Sequence, residues 1–220
     1  MILAAGRGTR MRHLTANTPK PLLKIADKTL IEWQIFRLAR AGISEIVVNL
    51  HYLGEQIADY LGDGKKYGVQ ILYSLEEELL ETAGGIKKAL PLLGQKPFLV
   101  VNADVWIDID IADFLRNFHQ EYSAYLLLVK NPAWKAAGDF AYSDGYVLAG
   151  QNFTFAGMSV LSAQIFQDLE EGIPAKLAPI FHSLAEKKML YGEIFNGDWQ
   201  DVGTPERLEE LQGRFCNGVS

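Results

Sequence analysis

Short apolar runs alternate with amphipathic stretches along the first half of the chain. Buried-type strands are predicted at 1–5, 45–49, 69–74 and 98–102. Helices are predicted between them, at 29–41, up to about 61 and at about 82–90. The first has a Thr29–Glu32 capping box, and Pro91 is expected to help end the third. This alternation predicts a parallel sheet with helices on both faces and ligands beyond the carboxyl ends of its strands.

The second half predicts a mixed sheet. A helix is expected at about 111–122, a strand at 124–129, and a hairpin that turns at Asp144-Gly145. Further strands are predicted at 153–161 and 190–195, around helical segments from about 163 and 176, and a last helix is predicted to begin at Thr204. The expected fold is a three-layer α/β/α sandwich with a mixed, mostly parallel, Rossmann-like sheet in one domain, residues 1–220.

Composition narrows the protein class. The 220 residues are 49% apolar and 22% charged, as in ordinary globular chains. No apolar run approaches the ~20 residues needed to cross a bilayer, and arginines follow the apolar start instead of preceding it, so a cytoplasmic protein is predicted. The single cysteine, Cys216, has no Cys partner for an internal disulfide or a zinc site.

Charge is unevenly distributed. Residues 1–28 carry six basic residues and one acidic residue, a local charge of +5, against −11 for the remainder. The acidic remainder argues against nucleic-acid or membrane partners. A basic segment that also contains glycines, LAAGRGTRM (Leu3 to Met11), favours a compact site for a small polyanion over a merely solvated loop.

Two familiar phosphate motifs do not fit this opening segment. The dinucleotide-binding fingerprint requires a third glycine where Met11 stands, and the Gly-Lys-Ser/Thr of a P-loop does not occur in the sequence. A nicotinamide-dependent enzyme and a P-loop kinase are therefore disfavoured.

The segments LAAGRGTRMRHLT and TPKPLLKI together resemble the GxGxRM…PKPL signature of sugar-phosphate nucleotidyltransferases. ETAGGIKKALP resembles the nucleotide-base segment of that family, and VNADVW and WQDVGTPERL resemble its two metal-aspartate segments. The short length and the LETxGG form are most similar to uridylyltransferases of cell-wall recycling that act on N-acetylmuramate 1-phosphate. The resemblance implies the nucleotidyltransferase fold, which is GT-A-like, without a β-helix extension.

Nucleotidyl transfer brings an anionic sugar phosphate to the α-phosphorus of a nucleoside triphosphate. Cations, amides and a divalent metal must offset the charge repulsion, and the ionised phosphate needs no general base. The resemblance implies that Arg10 and Lys20 act on the phosphates and that Asp104 and Asp201 hold Mg²⁺. The alternatives for the metal are nearby carboxylates, namely Asp108, Asp110 and Asp198.

The nucleoside is expected along the opening segment and the LETAGG segment. The predicted contacts are Leu3, Ala4, Ala5, Gly6, Gly8, Thr9, Glu76, Thr82, Gly84, Gly85 and Asn102. Close packing is the alternative explanation for the paired glycines. The sugar side is assigned by resemblance to Asn49, Gly138, Asp139 and Gly157.

The identity of the sugar stays open at this point, because the Glu-Lys-Pro motif that hexose-1-phosphate members use is absent. The expected partners are a nucleoside triphosphate, with UTP favoured, and a sugar 1-phosphate, with N-acetylmuramic acid 1-phosphate favoured. One alternative is a mannose-1-phosphate guanylyltransferase or a glucose-1-phosphate thymidylyl- or uridylyltransferase. A non-catalytic nucleotide-binding subunit is a second alternative, disfavoured because Arg10, Lys20, Asp104 and Asp201 are all present. The oligomeric state is not predicted.

Overall fold

The computed structural model describes residues 1–216. Its strands are β1 (Ile2–Leu3), β2 (Lys24–Ile25), β3 (Lys28–Thr29), β4 (Glu45–Leu50), β5 (Gln70–Leu75), β6 (Phe98–Asn102), β7 (Val105–Ile107), β8 (Ala124–Lys130), β9 (Phe140–Ser143), β10 (Tyr146–Leu161), β11 (Leu190–Phe195) and β12 (Trp199–Asp201). Its α-helices are α1 (Leu30–Arg40), α2 (Gly54–Leu61), α3 (Glu81–Leu93), α4 (Ile111–Arg116), α5 (Leu177–Glu186) and α6 (Pro205–Cys216). Short 3-10 helices are formed by Thr9–Thr15, Lys20–Leu22, Lys65–Tyr67 and Ala163–Phe166.

The chain forms two compact units. The first contains residues 1–79, 102–111 and those from 198 onwards. Within it β1 pairs in parallel with β4, and β4 in parallel with β5. Two short antiparallel ribbons, β2–β3 and β7–β12, complete its strand pairing.

The second unit contains residues 80–101 and 112–197. The long strand β10 is its centre and pairs antiparallel with β6, β8 and β9, while β8 and β11 are parallel. Tyr146 to Leu161 form one strand, so the predicted strand at 153–161 is its second half. The predicted hairpin is confirmed, with both Asp144 and Gly145 at positive φ.

Several local predictions are confirmed. The Thr29 hydroxyl accepts from the Glu32 amide at 3.3 Å, and Glu32 Oε2 accepts from the Thr29 amide at 2.8 Å, so the capping box starts α1. The Thr204 hydroxyl accepts from the Arg207 amide at the start of α6. The predicted α/β fold is confirmed as well.

Other boundaries differ from the prediction. The first strand is shorter than 1–5, because the chain leaves the ladder after Leu3. Helix α3 continues through Pro91 to Leu93, and the Gly94 amide closes it on the Leu90 carbonyl. A proline so near the end removes only one helical hydrogen bond, which does not stop the last turn.

The helix predicted at 111–122 is also shorter. Helix α4 ends at Arg116, and turns follow it. Tyr122 instead stacks on Tyr191 of β11, with ring centroids 3.9 Å apart. This contact with a distant strand overrides the local helical pattern.

Candidate active site

A two-stranded ribbon brings the two predicted metal aspartates to one place. In the antiparallel pairing of β7 with β12, Asp201 lies opposite Val105. One step further along the ribbon, the Val202 amide donates to the Asp104 carbonyl at 2.9 Å. Strand β7 does not stand out in the sequence, yet it sets the register that makes Asp104 and Asp201 neighbours.

A buried cluster in the first unit supports this ribbon. It comprises Met11, Ile25, Leu30, Trp106, Val202, Leu208 and Leu211. Met11 of the opening segment, Trp106 of β7, Val202 after β12 and Leu208 of α6 therefore share one core. Their common burial fixes the positions of the polar residues next to each of them.

The opening segment folds back on itself at Gly8. Gly8 has φ +61°, and its carbonyl accepts from the Met11 amide at 2.8 Å and from the Thr15 hydroxyl at 3.0 Å. A Cβ on Gly8 would lie 3.1 Å from Cβ of Lys20. Gly8 thus allows the segment to lie directly against the stem of Lys20.

Gly6 is a different kind of glycine. It is exposed, and a Cβ built on it meets no atom of the described chain within 4 Å. Neither packing nor a positive φ requires glycine there. The predicted contact of Gly6 with the nucleotide stays a prediction.

Lys20 lies in a one-turn 3-10 helix and not in the irregular chain that its flanking prolines favour. Its side chain is 8% exposed, and its Nζ donates to Oδ2 of Asp104. The ammonium is therefore held on one of the two aspartates.

Asp201 lies among four other charged side chains, and the five together are called the charge cluster: Asp201, Asp104, Arg207, Lys20 and Arg10. Burial and repulsion from Asp104 raise its pKa, while the cations Arg207, Lys20 and Arg10 oppose that shift. The same five groups therefore lie within electrostatic reach of one another. Arg10 is exposed, whereas the Arg207 side chain is 12% exposed and its Nη1 lies 3.4 Å from Oδ2 of Asp201.

Arg207 was missed in the sequence analysis. The only signal for it was its place in WQDVGTPERL, three residues after the Thr204 that caps α6. Of the alternative carboxylates, Asp198 pairs with Arg214 and accepts from the Trp106 indole at 3.0 Å.

The paired aspartates fit a magnesium ion. Oδ1 of Asp201 is buried and accepts no hydrogen bond from residues 1–216. Over the same range, no group of three or more His, Cys, Asp or Glu side chains is placed to hold a metal. Mg²⁺ commonly takes one or two carboxylates and completes its shell with substrate phosphates and water, so this donor set suffices.

A hydrogen-bonded chain connects three predicted contacts of the first unit. The Ala4 amide donates to Oδ1 of Asn49 at 2.8 Å, and Nδ2 of Asn49 donates to Oε1 of Glu76 at 2.7 Å. Asn49 and Glu76 are both buried. These bonds fix the ends of β1, β4 and β5; the predicted contacts of Asn49 with sugar and of Glu76 with nucleoside stay predictions.

The remaining predicted nucleoside contacts of the first unit lie in β1, just after it, or at the end of β6, and they stay predictions. Leu3 and Asn102 are half-buried, Ala5 is buried and Thr9 is exposed. The Ala103 amide donates to the Leu3 carbonyl at 3.1 Å, which holds the segment before Asp104 against the end of β1.

In the second unit, packing accounts for Gly84. The Ala83 and Gly84 amides both donate to the Ala175 carbonyl, at 2.8 and 3.1 Å. A Cβ on Gly84 would lie 2.7 Å from the Ile173 carbonyl oxygen. Close packing is therefore sufficient reason for this glycine. Nucleoside binding by Thr82, Gly84 and Gly85, all in the first turns of α3, stays a prediction.

The predicted sugar-side residues of the second unit also have structural roles. Gly138 donates to the Gln151 carbonyl at 2.9 Å, and a Cβ there would collide with the Phe153 carbonyl. Asp139 pairs with Lys135 and accepts from the Phe155 amide at 3.0 Å. Gly157, at φ +80°, lies where the register of β10 shifts. Their contacts with sugar stay predictions.

Comparison with known proteins decides the family. The profile of the nucleotidyl transferase family matches residues 1–152. The chain belongs to this family. N-acetylmuramate alpha-1-phosphate uridylyltransferase of Neisseria meningitidis serogroup B is 48% identical, over 96% of both chains. The predicted enzyme class, a sugar-1-phosphate nucleotidyltransferase, is confirmed.

Other relatives are more distant. Mannose-1-phosphate guanyltransferase of Gibberella zeae is 31% identical over 94% of this chain, which spans 61% of that protein. In the solved structure of HddC from Yersinia pseudotuberculosis with GMP-PN, the fold is the same, with a TM-score of 0.82, 22% identity and 97% of both chains covered. No helix within residues 1–216 has the length and apolar character needed to cross a membrane.

Proposed function

We propose that this nucleotidyltransferase joins UTP to N-acetylmuramic acid 1-phosphate and releases pyrophosphate. The observation that carries the substrate is the 48% identity to the Neisseria uridylyltransferase, with nearly equal coverage of both chains. The guanyltransferase relative is less similar and considerably longer. The absence of a Glu-Lys-Pro motif also favours a sugar that carries an extra carboxylate.

In the proposed reaction, a phosphate oxygen of the sugar 1-phosphate attacks the α-phosphorus of UTP. A new P–O bond forms, the bond between the α-phosphorus and the bridging oxygen breaks, and pyrophosphate leaves with that electron pair. The attacking oxygen is already ionised, so no protein group has to remove a proton. Catalysis then depends on positioning and on positive charge around the phosphates.

The charge cluster of the first unit supports this chemistry. Lys20 and Arg10 are proposed to stabilise the charge that develops at the α-phosphorus, Lys20 as a preorganised point charge and Arg10 as an exposed fork. Asp104 and Asp201 are proposed to hold Mg²⁺. When bound, the ion would supply further positive charge at the triphosphate.

The nucleoside is assigned to the opening segment and to the first turns of α3, and the sugar to the predicted residues around Asn49 and Asp139. Residues 1–220 are proposed to act as one nucleotidyltransferase domain that works in the cytoplasm, as the composition suggests.

The test is a panel of nucleoside triphosphates against sugar 1-phosphates, read as pyrophosphate release. UTP with N-acetylmuramic acid 1-phosphate should give the highest kcat/KM, and chelation of the metal should abolish turnover. A preference for GTP with mannose 1-phosphate by about tenfold, ~1.4 kcal/mol of discrimination, would replace this proposal with the guanylyltransferase alternative.

A further inference from the structure

Helix α6 begins shortly after strand β12 in the sequence, and it carries Arg207. The Thr204 hydroxyl accepts from the Arg207 amide at 3.4 Å, and Nε2 of Gln200 donates to the Arg207 carbonyl at 2.8 Å. Gln200 is itself buried in β12, next to Asp201. The backbone of Arg207 is thus fixed to the strand that carries the aspartate.

The Arg207 side chain turns back over Gly203 to reach that aspartate. Nη1 of Arg207 lies 3.4 Å from Oδ2 of Asp201. A Cβ on Gly203 would lie 2.7 Å from Oδ1 of Asp201 and 3.1 Å from Cζ of Arg207. Any larger residue at 203 would displace the guanidinium or the carboxylate, so glycine is what allows the two groups to share this space.

We propose that Arg207, seated over Gly203, is a positioning residue that orients the Asp201 carboxylate for the metal. The guanidinium lies nearest Oδ2, whereas Oδ1 is buried and takes no hydrogen bond from the described part of the chain. The Asp201 carboxylate is thereby held in one orientation between Arg207 and Gly203. This inference rests on the proposed magnesium site.

Charge supports the same role. Two carboxylates that lie close together repel each other, and a fixed cation on one of them reduces that repulsion. Arginine suits this position because its planar guanidinium presents a rigid fork that matches a carboxylate. Its side chain is 12% exposed, which contrasts with the exposed Arg10. Because Arg207 is mostly buried beside Asp201, we assign it to that carboxylate. The exposed Arg10 remains free to contact the phosphates.

Gly203→Ala is the sharpest test, because it displaces the pair without removing either charge. Gly213→Ala is its matched control, since Gly213 is exposed on α6 and its Cβ would meet no described atom within 4 Å. Arg207→Met removes the guanidinium, and Arg207→Lys keeps the charge. Arg116→Met, an exposed arginine in α4, controls for loss of a cation.

The primary measurement is Mn²⁺ binding by electron paramagnetic resonance in the absence of substrates, because Mn²⁺ accepts the same oxygen ligands. Gly203→Ala and Arg207→Met should each bind Mn²⁺ about tenfold or more weakly, as expected when a partner of a metal ligand is lost. Arg207→Lys should recover part of that loss. Gly213→Ala and Arg116→Met should match the unmodified protein. Thermal melting checks that each variant is folded.

Unchanged Mn²⁺ affinity in folded Gly203→Ala or Arg207→Met would overturn the positioning role. A raised KM for UTP at saturating Mg²⁺, with normal Mn²⁺ affinity, would overturn it in favour of direct phosphate contact. If Arg207→Met fails to fold, Gly203→Ala and Arg207→Lys decide. If the unmodified protein binds no Mn²⁺ without substrates, the series is repeated with UTP present. Failure there as well would refute the magnesium site, an outcome distinct from failure of the variants alone.

Discussion

Each unit contains a Lys–Asp ion pair, and the two pairs differ in sequence separation and in exposure. Lys20 and Asp104 come from distant parts of the chain, and their side chains are 8% and 31% exposed. Lys135 and Asp139 are four residues apart, with side chains 29% and 35% exposed. Asp139 also accepts from the Phe155 amide, so the second pair is fixed against strand β10.

The difference lies in what surrounds each pair. Lys20–Asp104 shares its surroundings with Asp201, Arg207 and Arg10, and repulsion from Asp104 contributes to the raised pKa of Asp201. Each aspartate already has a basic partner, yet burial and repulsion from Asp104 still raise the pKa of Asp201. A pKa shifted by burial and by a specific charged neighbour is typical of a candidate functional site. Like charges brought together from distant segments therefore distinguish the candidate catalytic cluster from the Lys135–Asp139 pair, whose two residues lie four positions apart.

The largest expected effect comes from the aspartates of the first unit. Asp201→Asn or Asp104→Asn should lower kcat by at least about a thousandfold, because a neutral amide is a poor magnesium ligand and several kcal/mol of charge stabilisation is lost. The measurement is pyrophosphate release by protein shown to be folded by circular dichroism. The control is Asp108→Asn, which changes an exposed carboxylate nearby. Near-normal turnover in Asp201→Asn or in Asp104→Asn would refute the metal assignment.

The next effect tests Lys20 against lysines outside the cluster. Lys20→Ala should reduce kcat by roughly a hundredfold, as expected for loss of one preorganised charge donor. Lys24→Ala, an exposed lysine in β2, should leave the rate unchanged. Equal rates for these two variants would show that Lys20 has no catalytic role, although it is buried and paired with Asp104.

Asn49 provides an intermediate case, because it holds the first unit together at the ends of its parallel strands. Asn49→Leu should destabilise the protein by about 1–3 kcal/mol, since the Ala4 amide and the Glu76 carboxylate each lose a buried partner. Chemical denaturation measures the loss. A variant as stable as the unmodified protein would contradict the proposed structural role of this side chain.

The smallest expected effect comes from the second pair. Lys135→Met should change stability by less than about 1 kcal/mol, because partly exposed ion pairs contribute little. Thermal melting and kcat/KM are measured together. A large loss of kcat/KM at unchanged stability would show that the two pairs do not differ in function and that Lys135 acts with the groups that contact the sugar phosphate.

Local structure could be predicted from the sequence wherever residues a few positions apart determine it. The capping box at Thr29, the hairpin at Asp144-Gly145 and the strand at 98–102 were predicted correctly. Each depends on side-chain period, a side-chain cap or a turn residue, which act within a few positions. The extension of α3 beyond Pro91 and the early end of α4 at Arg116 were not predicted, because packing outweighed weak local signals there.

For the site, the sequence by itself determined which residue types were available: two aspartates in separate motifs, a lysine between prolines and a basic segment rich in glycine. Only the tertiary structure decided their arrangement. The β7–β12 register brings Asp104 to Asp201, and the space above Gly203 admits Arg207. Gly84 shows the same limit, because its close approach to Ile173 depends on a distant segment. Contacts between distant segments are set by the packing of a shared core, and no local pattern in the sequence shows which distant residues will meet there.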